Sequence, residues 1–342
     1  MIEDLEFDSE QEEELFEHHR FKADPGQEMI RIDKFLIDRL ANTSRNKIQI
    51  AAKNGNIYVN KEKVKQNYRV KPGDDIAIVL PYPVRELKLI PQNIPIEIVY
   101  EDDECLVVNK PANMVVHPGY GNYSGTLVNA LVYHFDNLPI PPKDYYGRPG
   151  LVHRIDKHTT GLLVVAKTEL ALTDLAGQFF DRTTERIYYA LVWGDLEKDG
   201  TITGNIGRSQ KNRKVMAVYP NADHGKHAVT HYKILERFGH VTLVECKLET
   251  GRTHQIRAHF QSIGHPLFND LEYGGNKTLK GPLNANYIKF IHNCFELLHG
   301  QALHAKSLGF KHPKTKKFLC FQSELTPEFY LLLNRWRKYA IG

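Results

Sequence analysis

Leu151–Lys167 reads LVHRIDKHTTGLLVVAK, and its reading decides the fold. The second half, Leu162 to Ala166, is an unbroken aliphatic run. A strand with one wet face alternates, whereas a run without polar interruption needs cover on both faces. Leu162–Val165 is therefore expected as a covered strand. The first half is a polar knot, His153 to Thr160, with Arg154, Asp156, Lys157 and His158 inside five positions. A buried strand steadies the turn that feeds it, and such a turn can present charged groups with precision. An Asp in a loop more often caps a turn, so Asp156 needs company elsewhere in the chain.

A chain of 342 residues has room for two domains with buried cores. Its hydrophobic share of 42% and charged share of 25% suit a soluble globular protein. No apolar run approaches a membrane span and the N-terminus is acidic, so neither a membrane partner nor a secretory signal is expected. Cys105, Cys246, Cys294 and Cys320 form no CxxC pair, which argues against a zinc ribbon or disulfide scaffold and suits a cytoplasmic protein. The 17 histidines contain no HExxH pattern, so no metal is expected. The net charge of +4 hides a division, because residues 1–28 hold an excess of Asp and Glu over Arg20 and Lys22. A basic body behind an acidic arm suggests a polyanionic partner. The arm is expected to lack fixed structure. No heptad or exposed apolar stripe is evident, so a monomer is expected.

From Arg31 the pattern turns regular. Ile32, Phe35, Leu36 and Leu40 mark one helix face, and Ser44 can cap a second helix to Lys53, with Gly55 as its left-handed stop. Ile57–Asn60 and Ile76–Leu80 read as strands, the latter introduced by Lys71-Pro72-Gly73-Asp74. A one-signed set of Lys and Arg on so small a unit can follow a phosphate backbone without reading bases. RIDKFL, the Ser44-Arg45 helix start, GNIYVN and VKPGD together resemble an S4 RNA-binding domain. That resemblance implies contact with structured RNA through Arg31, Lys34, Ser44, Arg45 and Lys47. The expected division is an arm at 1–28, an S4-like unit at 29–90 and a larger unit at 91–342.

Pro81, Pro83, Pro91 and Pro95 suggest a stiff linker. Beyond it, Ile96–Tyr100 and Cys105–Asn109 read as paired strands. HPGYGNYSGT is Gly-rich but lacks the GK[ST] ending of a phosphate loop. Thr168 can cap a helix to Phe180. Tyr188–Trp193, Val229–Leu235 and Val241–Leu248 read as strands, and 200–228 as a basic hairpin. Thr253 should open a helix closed by Gly264, with Ile256, Phe260 and Ile263 buried and Arg257 at the edge of that face. Residues 272–300 match no template and read as an insertion. His304–Phe310 and Phe318–Phe321 suggest a hairpin. Thr326-Pro327-Glu328 begins a last helix carrying Tyr330, Leu333 and Trp336. Strands outnumber helices and few are spaced as βαβ crossovers. The expected class is α+β, a mixed, largely antiparallel central sheet with flanking helices and loops behind a small α/β unit.

HRIDKHTTGLLVVAKT, ERIYYALVWG and ETGRTHQIRAH closely resemble the three core motifs of the RluA-type pseudouridine synthases. KPANMVVHPGYGNYSGTLVNAL and QALHAKSLGFKHP match two further stretches of that family. With the S4-like unit in front, the arrangement is similar to the branch that modifies large-subunit ribosomal RNA, as naked RNA or as an assembly intermediate. The resemblance implies isomerisation of uridine to pseudouridine without cofactor or metal. It implies catalytic roles for Asp156, Tyr188 and Arg257, and substrate contacts at His153, Arg154, Arg252 and His254. Arg154 matches the arginine that helps hold the target nucleotide out of its stack. The chemistry suits these types. A carboxylate can attack or stabilise a cationic C1′, or remove a sugar proton, and sequence leaves both routes open. A guanidinium beside it favours the ionised form and fixes its direction. Of the adjacent Tyr188 and Tyr189 only one can face the site, since a strand alternates. The chain departs from the family pattern at Ile155, at His158 and at Gly300, and the last two bear on target choice.

Overall fold

The computed structural model describes residues 16–40, 43–80, 89–119, 121–140, 148–212, 214–219 and 224–341. They form two compact units, the first ending before Leu89. In the first, strands β1 (Phe16–Lys22), β2 (Ile57–Val59), β3 (Glu62–Lys63) and β4 (Asp75–Leu80) form an antiparallel sheet in the order β1-β4-β2-β3. Helices α1 (Ile32–Ile37) and α2 (Arg45–Lys53) bury Ile32, Phe35, Leu36 and Ile48 against Ile57, Ile76 and Ile78. Ser44 caps α2 by accepting the amide of Lys47 at 3.3 Å.

Part of the segment expected as an arm is ordered strand. Phe16–Lys22 is strand, paired along β4. An edge strand needs main-chain partners and only one packed face, so FEHHRFK can be polar and still extended. Residues 1–15, with the expected linker prolines Pro81 and Pro83, Tyr120 of the Gly-rich loop and Arg213 of the basic hairpin, lie outside the described residues.

The second unit is a ten-stranded sheet flanked by helices. Its strands are β5 (Glu97–Glu101), β6 (Cys105–Lys110), β7 (Thr160–Ala166), β8 (Glu185–Trp193) and β9 (Gly200–Arg208), then β10 (Met216–Tyr219), β11 (Lys226–Arg237), β12 (Val241–Leu248), β13 (Leu303–Lys311) and β14 (Phe318–Gln322). The order is β10-β9-β11-β12-β8-β13-β7-β6-β5, with β14 beside β13. The neighbours run antiparallel except β7 and β13, which pair in parallel at His304↔Thr160 and Ala305↔Gly161. The fold is α+β and mixed, as expected.

β7 is buried along its whole length, and its two faces explain the aliphatic run. Leu163 and Val165 join a core with helix α3 (Leu127–His134). Leu162, Val164 and Ala166 join a core with helix α4 (Glu169–Phe180). Leu151 bridges back to Val165, so the polar knot is a loop hung from its own strand. Gly161, at φ +102°, lets β13 close in: a Cβ there would stand 2.3 Å from the carbonyl oxygen of Ala305.

Three expectations need correction in this unit. Helix α5 is Gln255–Ser262, opened by His254 in the left-handed region rather than by Thr253. Ile263 falls beyond the helix and is exposed. Residues 272–300 contain helix α6 (Ala285–Phe295), whose Tyr287, Ile291 and Cys294 pack with Trp193, Phe268 and Trp336. The last helix, α7 (Pro327–Ile341), buries Phe329, Leu332, Leu333 and Trp336, while Tyr330 faces outward.

Candidate active site

Asp156 sits in the loop ahead of β7, and two donors fix the backbone around it. The amide of Thr159 donates to its carbonyl at 3.1 Å. The Nζ of Lys110, at the end of β6, donates to the carbonyls of Pro111, Met114 and Lys157 at 2.7, 2.9 and 3.1 Å. Lys110 is fully buried, and burial, opposed by the charge of Asp156, pushes it down to about 7.

The Asp156 side chain meets Arg257 of α5, whose Nη1 donates to Oδ2 at 3.1 Å. Arg257 is held in turn from behind. Its Nε and Nη2 donate to the two oxygens of Asp270 at 2.7 and 2.8 Å, and Nη2 also reaches Glu272 at 2.6 Å. Asp270 is fully buried and accepts the amides of Glu272 and Tyr273. The Tyr273 ring lies 4.8 Å from the guanidinium carbon. Burial alone would favour a neutral Arg257, but the bonds and charge of Asp270, then Asp156 and Glu272, raise it above its ordinary value. The guanidinium is therefore a permanent cation with one edge left for Asp156.

Tyr188, on β8, is buried and lines the same cavity of about 60 Å³ as Asp156, Arg257, Arg154, Arg252 and His254. Burial, opposed by the charge of Arg186 and aided less by that of Asp156, raises its phenol, which stays protonated. Tyr189 turns to the other face and packs beside the aromatic core of Trp193 and Trp336. Asp156, Arg154, His254 and Arg257 also line a cleft of about 360 Å³, a size that takes small molecules. A larger cavity, about 750 Å³, lies beyond His158 and Gly300 and is walled by Glu97, Glu324 and Glu328. Its acidic wall suits a polyanion poorly, and it lacks Asp156.

Of the expected substrate contacts, Arg154 stands at the mouth, with Nη1 3.2 Å from Nε2 of His117. Arg252 lines the inner cavity and donates through Nε to the carbonyl of His227. His254 lies 3.8 Å from Asp156 and 3.0 Å from the Tyr273 hydroxyl. His153 is corrected. Its Nε2 accepts the amide of Val164 and its ring stacks on Phe179 at 4.2 Å, so it faces α4 and not the cavity. Burial, then the charge of Arg186, pushes it down to about 3.

Sequence reasoning missed Lys110, Asp270, Glu272 and Tyr273 as site residues. A buried Asp looks like a turn Asp in one dimension; FND after the α5 motif was the only trace. In the first unit the fully buried Asp33 gathers Arg31, Arg45 and Gln49. Lys34 and Lys47 stand exposed nearby. Asp33 is pulled to about 2, where these bonds outweigh its burial.

Among the described residues one trio, Asp102, Cys105 and His312, has ligand atoms close enough for a metal. Nδ1 of His312 accepts the amides of Lys314 and Thr315, so Nε2 carries the proton it gives to Asp102. Burial and the charge of Asp102 push the Cys105 thiol up to about 12. The trio is a hydrogen-bonded structural knot.

A family model described as RNA pseudouridylate synthase matches residues 104–262, and an S4 domain model matches 30–76. An uncharacterized RNA pseudouridine synthase of Chlorobaculum parvum is 44% identical over 310 residues, 90% of this chain and 94% of that one. The ribosomal large subunit pseudouridine synthase D of Zymomonas mobilis is 41% identical, covering 90% and 95%. Among solved structures, human RNA pseudouridylate synthase domain containing 4 superposes with a TM-score of 0.54 at 24% identity, covering 70% of this chain and 93% of that one.

Proposed function

Because the chain belongs to the RNA pseudouridylate synthase family, we propose that it isomerises uridines of large-subunit ribosomal RNA, with Asp156 as the reacting carboxylate. One observation carries the site. A partly buried carboxylate faces a doubly anchored guanidinium and, across one cavity, a buried phenol. The reaction is an isomerisation: the bond from C1′ to N1 breaks, the base turns, a bond from C1′ to C5 forms, C5 gives up a proton to solvent, and N1 takes one up. Asp156 meets C1′ or the adjacent sugar proton. Arg257 keeps the carboxylate ionised and aimed. Tyr188 walls the base, and its hydroxyl oxygen takes part in the proton's departure from C5. Arg154 fills the place of the extruded nucleotide, whose flipping costs a few kcal/mol. Arg252 and His254 hold the substrate near the carboxylate.

The division of labour follows the two units. Residues 29–90 grip RNA phosphates through Arg31, Lys34, Arg45 and Lys47, with Ser44 setting the helix between them, and residues 91–342 do the chemistry. The ribosomal assignment draws on relatives named as large-subunit enzymes at about 40% identity. The protein acts as a cytoplasmic monomer, on naked RNA or on an assembly intermediate. Asp156→Ala tests the site. With ribosomal transcripts carrying tritium at uridine C5, the variant should release none while still binding RNA. Tritium release that survives the change removes Asp156 from the mechanism. Free uracil would mean hydrolysis instead.

A further inference from the structure

We propose that Arg186, together with Arg252, seats one backbone phosphate of the bound RNA at the rim of the catalytic cavity. This rests on the reading of the chain as an RNA uridine isomerase and adds where the strand is held. Arg186 lies on β8 two residues before Tyr188, so both point to one face roughly 7 Å apart. It is 7% exposed. Three cations are buried among the described residues: Lys110, Arg186 and Arg257. Lys110 has three carbonyls and Arg257 has Asp270. Arg186 has no hydrogen bond and no carboxylate among the described residues, and its Nε is buried without an acceptor.

Its contacts are apolar or close-packed. The guanidinium stands 5.6 Å over the Phe179 ring. Nη1 lies against Gly251, where a Cβ would come within 2.7 Å. The next residue, Arg252, lines the catalytic cavity. Burial, then the charge of Arg182, lowers Arg252. Buried cations are ordinarily paired. Two guanidiniums that bond to no carboxylate among the described residues, beside a site that receives RNA, are completed by a phosphate, whose oxygens match the planar fork.

Arg186→Met keeps the stem on Phe179 and removes the charge. Binding of a large-subunit ribosomal transcript is measured across a series of potassium chloride concentrations. Affinity should fall roughly tenfold or more, as for loss of one charge-assisted contact. The slope of log affinity against log salt should flatten by about 0.7–0.9. The melting temperature should hold or rise, because an unpaired buried charge is relieved. Wild-type affinity and slope in Arg186→Met overturn the proposal. Should that variant not fold, Gly251→Ala serves: its Cβ displaces Nη1, so affinity should fall at unchanged melting temperature, and unchanged affinity overturns the seat. Tritium release by the wild type is a separate readout. Its absence sinks the isomerase reading, whereas the salt slope speaks only to the phosphate.

Discussion

Asp270→Asn tests whether the buried carboxylate behind Arg257 holds the site together. The change preserves shape but removes a charge and turns one acceptor into a donor. Arg257 then loses one of two bonds, now 2.7 and 2.8 Å, and an N–H faces an N–H. Both side chains are essentially buried, at 0% and 4% exposure, so water does not screen the loss. Breaking a buried pair by removing one partner costs about 3–5 kcal/mol; the retained acceptor puts Asn at the lower end, near 3. With a urea slope of about 1–3 kcal/mol/M, the midpoint should fall by about 1 M or more. The chain's two tryptophans, Trp193 and Trp336, are fully buried in the second unit, so their fluorescence reports that unit alone. Activity should fall roughly a hundredfold, because Asp156 loses its fixed partner and small misplacements are costly in rate. Glu272→Gln is the control. Its side chain is 45% exposed, and its pair should be worth about 1 kcal/mol at most. A midpoint for Asp270→Asn no lower than that of Glu272→Gln would refute the reasoning.

Acid should weaken the second unit before its carboxylates titrate. Burial first, with Arg186, His227 and Lys306 respectively adding, pushes His153 to about 3 and His259 and His304 to about 4, from an ordinary 6.5. Folded pKa values below unfolded ones mean that the unfolded chain takes up protons first. Their stability is thus present above about pH 6.5 and lost as pH falls, by up to about 1.4 kcal/mol per pH unit per histidine. A urea midpoint that stays flat from about pH 7 to 5 contradicts this, and His259→Phe should make the decline shallower. Gly161→Ala forces a Cβ to 2.3 Å from the Ala305 oxygen at φ +102°. It should cost roughly 3 kcal/mol or more in strain and displaced backbone. Gly177→Ala, inside α4 with open space at its Cβ, should instead stabilise by about 0.5–1 kcal/mol. Equal melting temperatures for the two variants would discard the close approach of β7 and β13.

Reading the chain in one dimension succeeded where one local cause dominates. The run Leu162–Val165 announced a doubly covered strand, and Thr168 caps α4 through the amide of Ala171. Asp156, Tyr188 and Arg257 were legible by motif, and they line one cavity. What escaped depends on partners far away in sequence. β1 is polar because its stability comes from β4, some fifty-five positions on, as with Arg20 and Asp75. Asp270 differs from a turn Asp only in having Arg257 behind it. His153 and Arg154 are neighbours, but the loop turns one to Phe179 and the other to the cleft. Ile263 kept the spacing of the buried stripe after the helix had ended. The helix in 272–300 carried a readable stripe at Tyr287, Ile291 and Cys294, hidden behind a Gly-rich approach.

The parallel meeting of β7 and β13 spans just two residue pairs. The acid comes from the strands on one side of that seam, and the phenol and guanidinium come from the other. Cleaved at the exposed turn Asp181–Thr183, the chain would part into a front piece bearing the acid and a back piece bearing its mates. Each alone would be inert. Turnover regained on mixing them would count rejoined molecules, making the seam a natural point for fragment complementation.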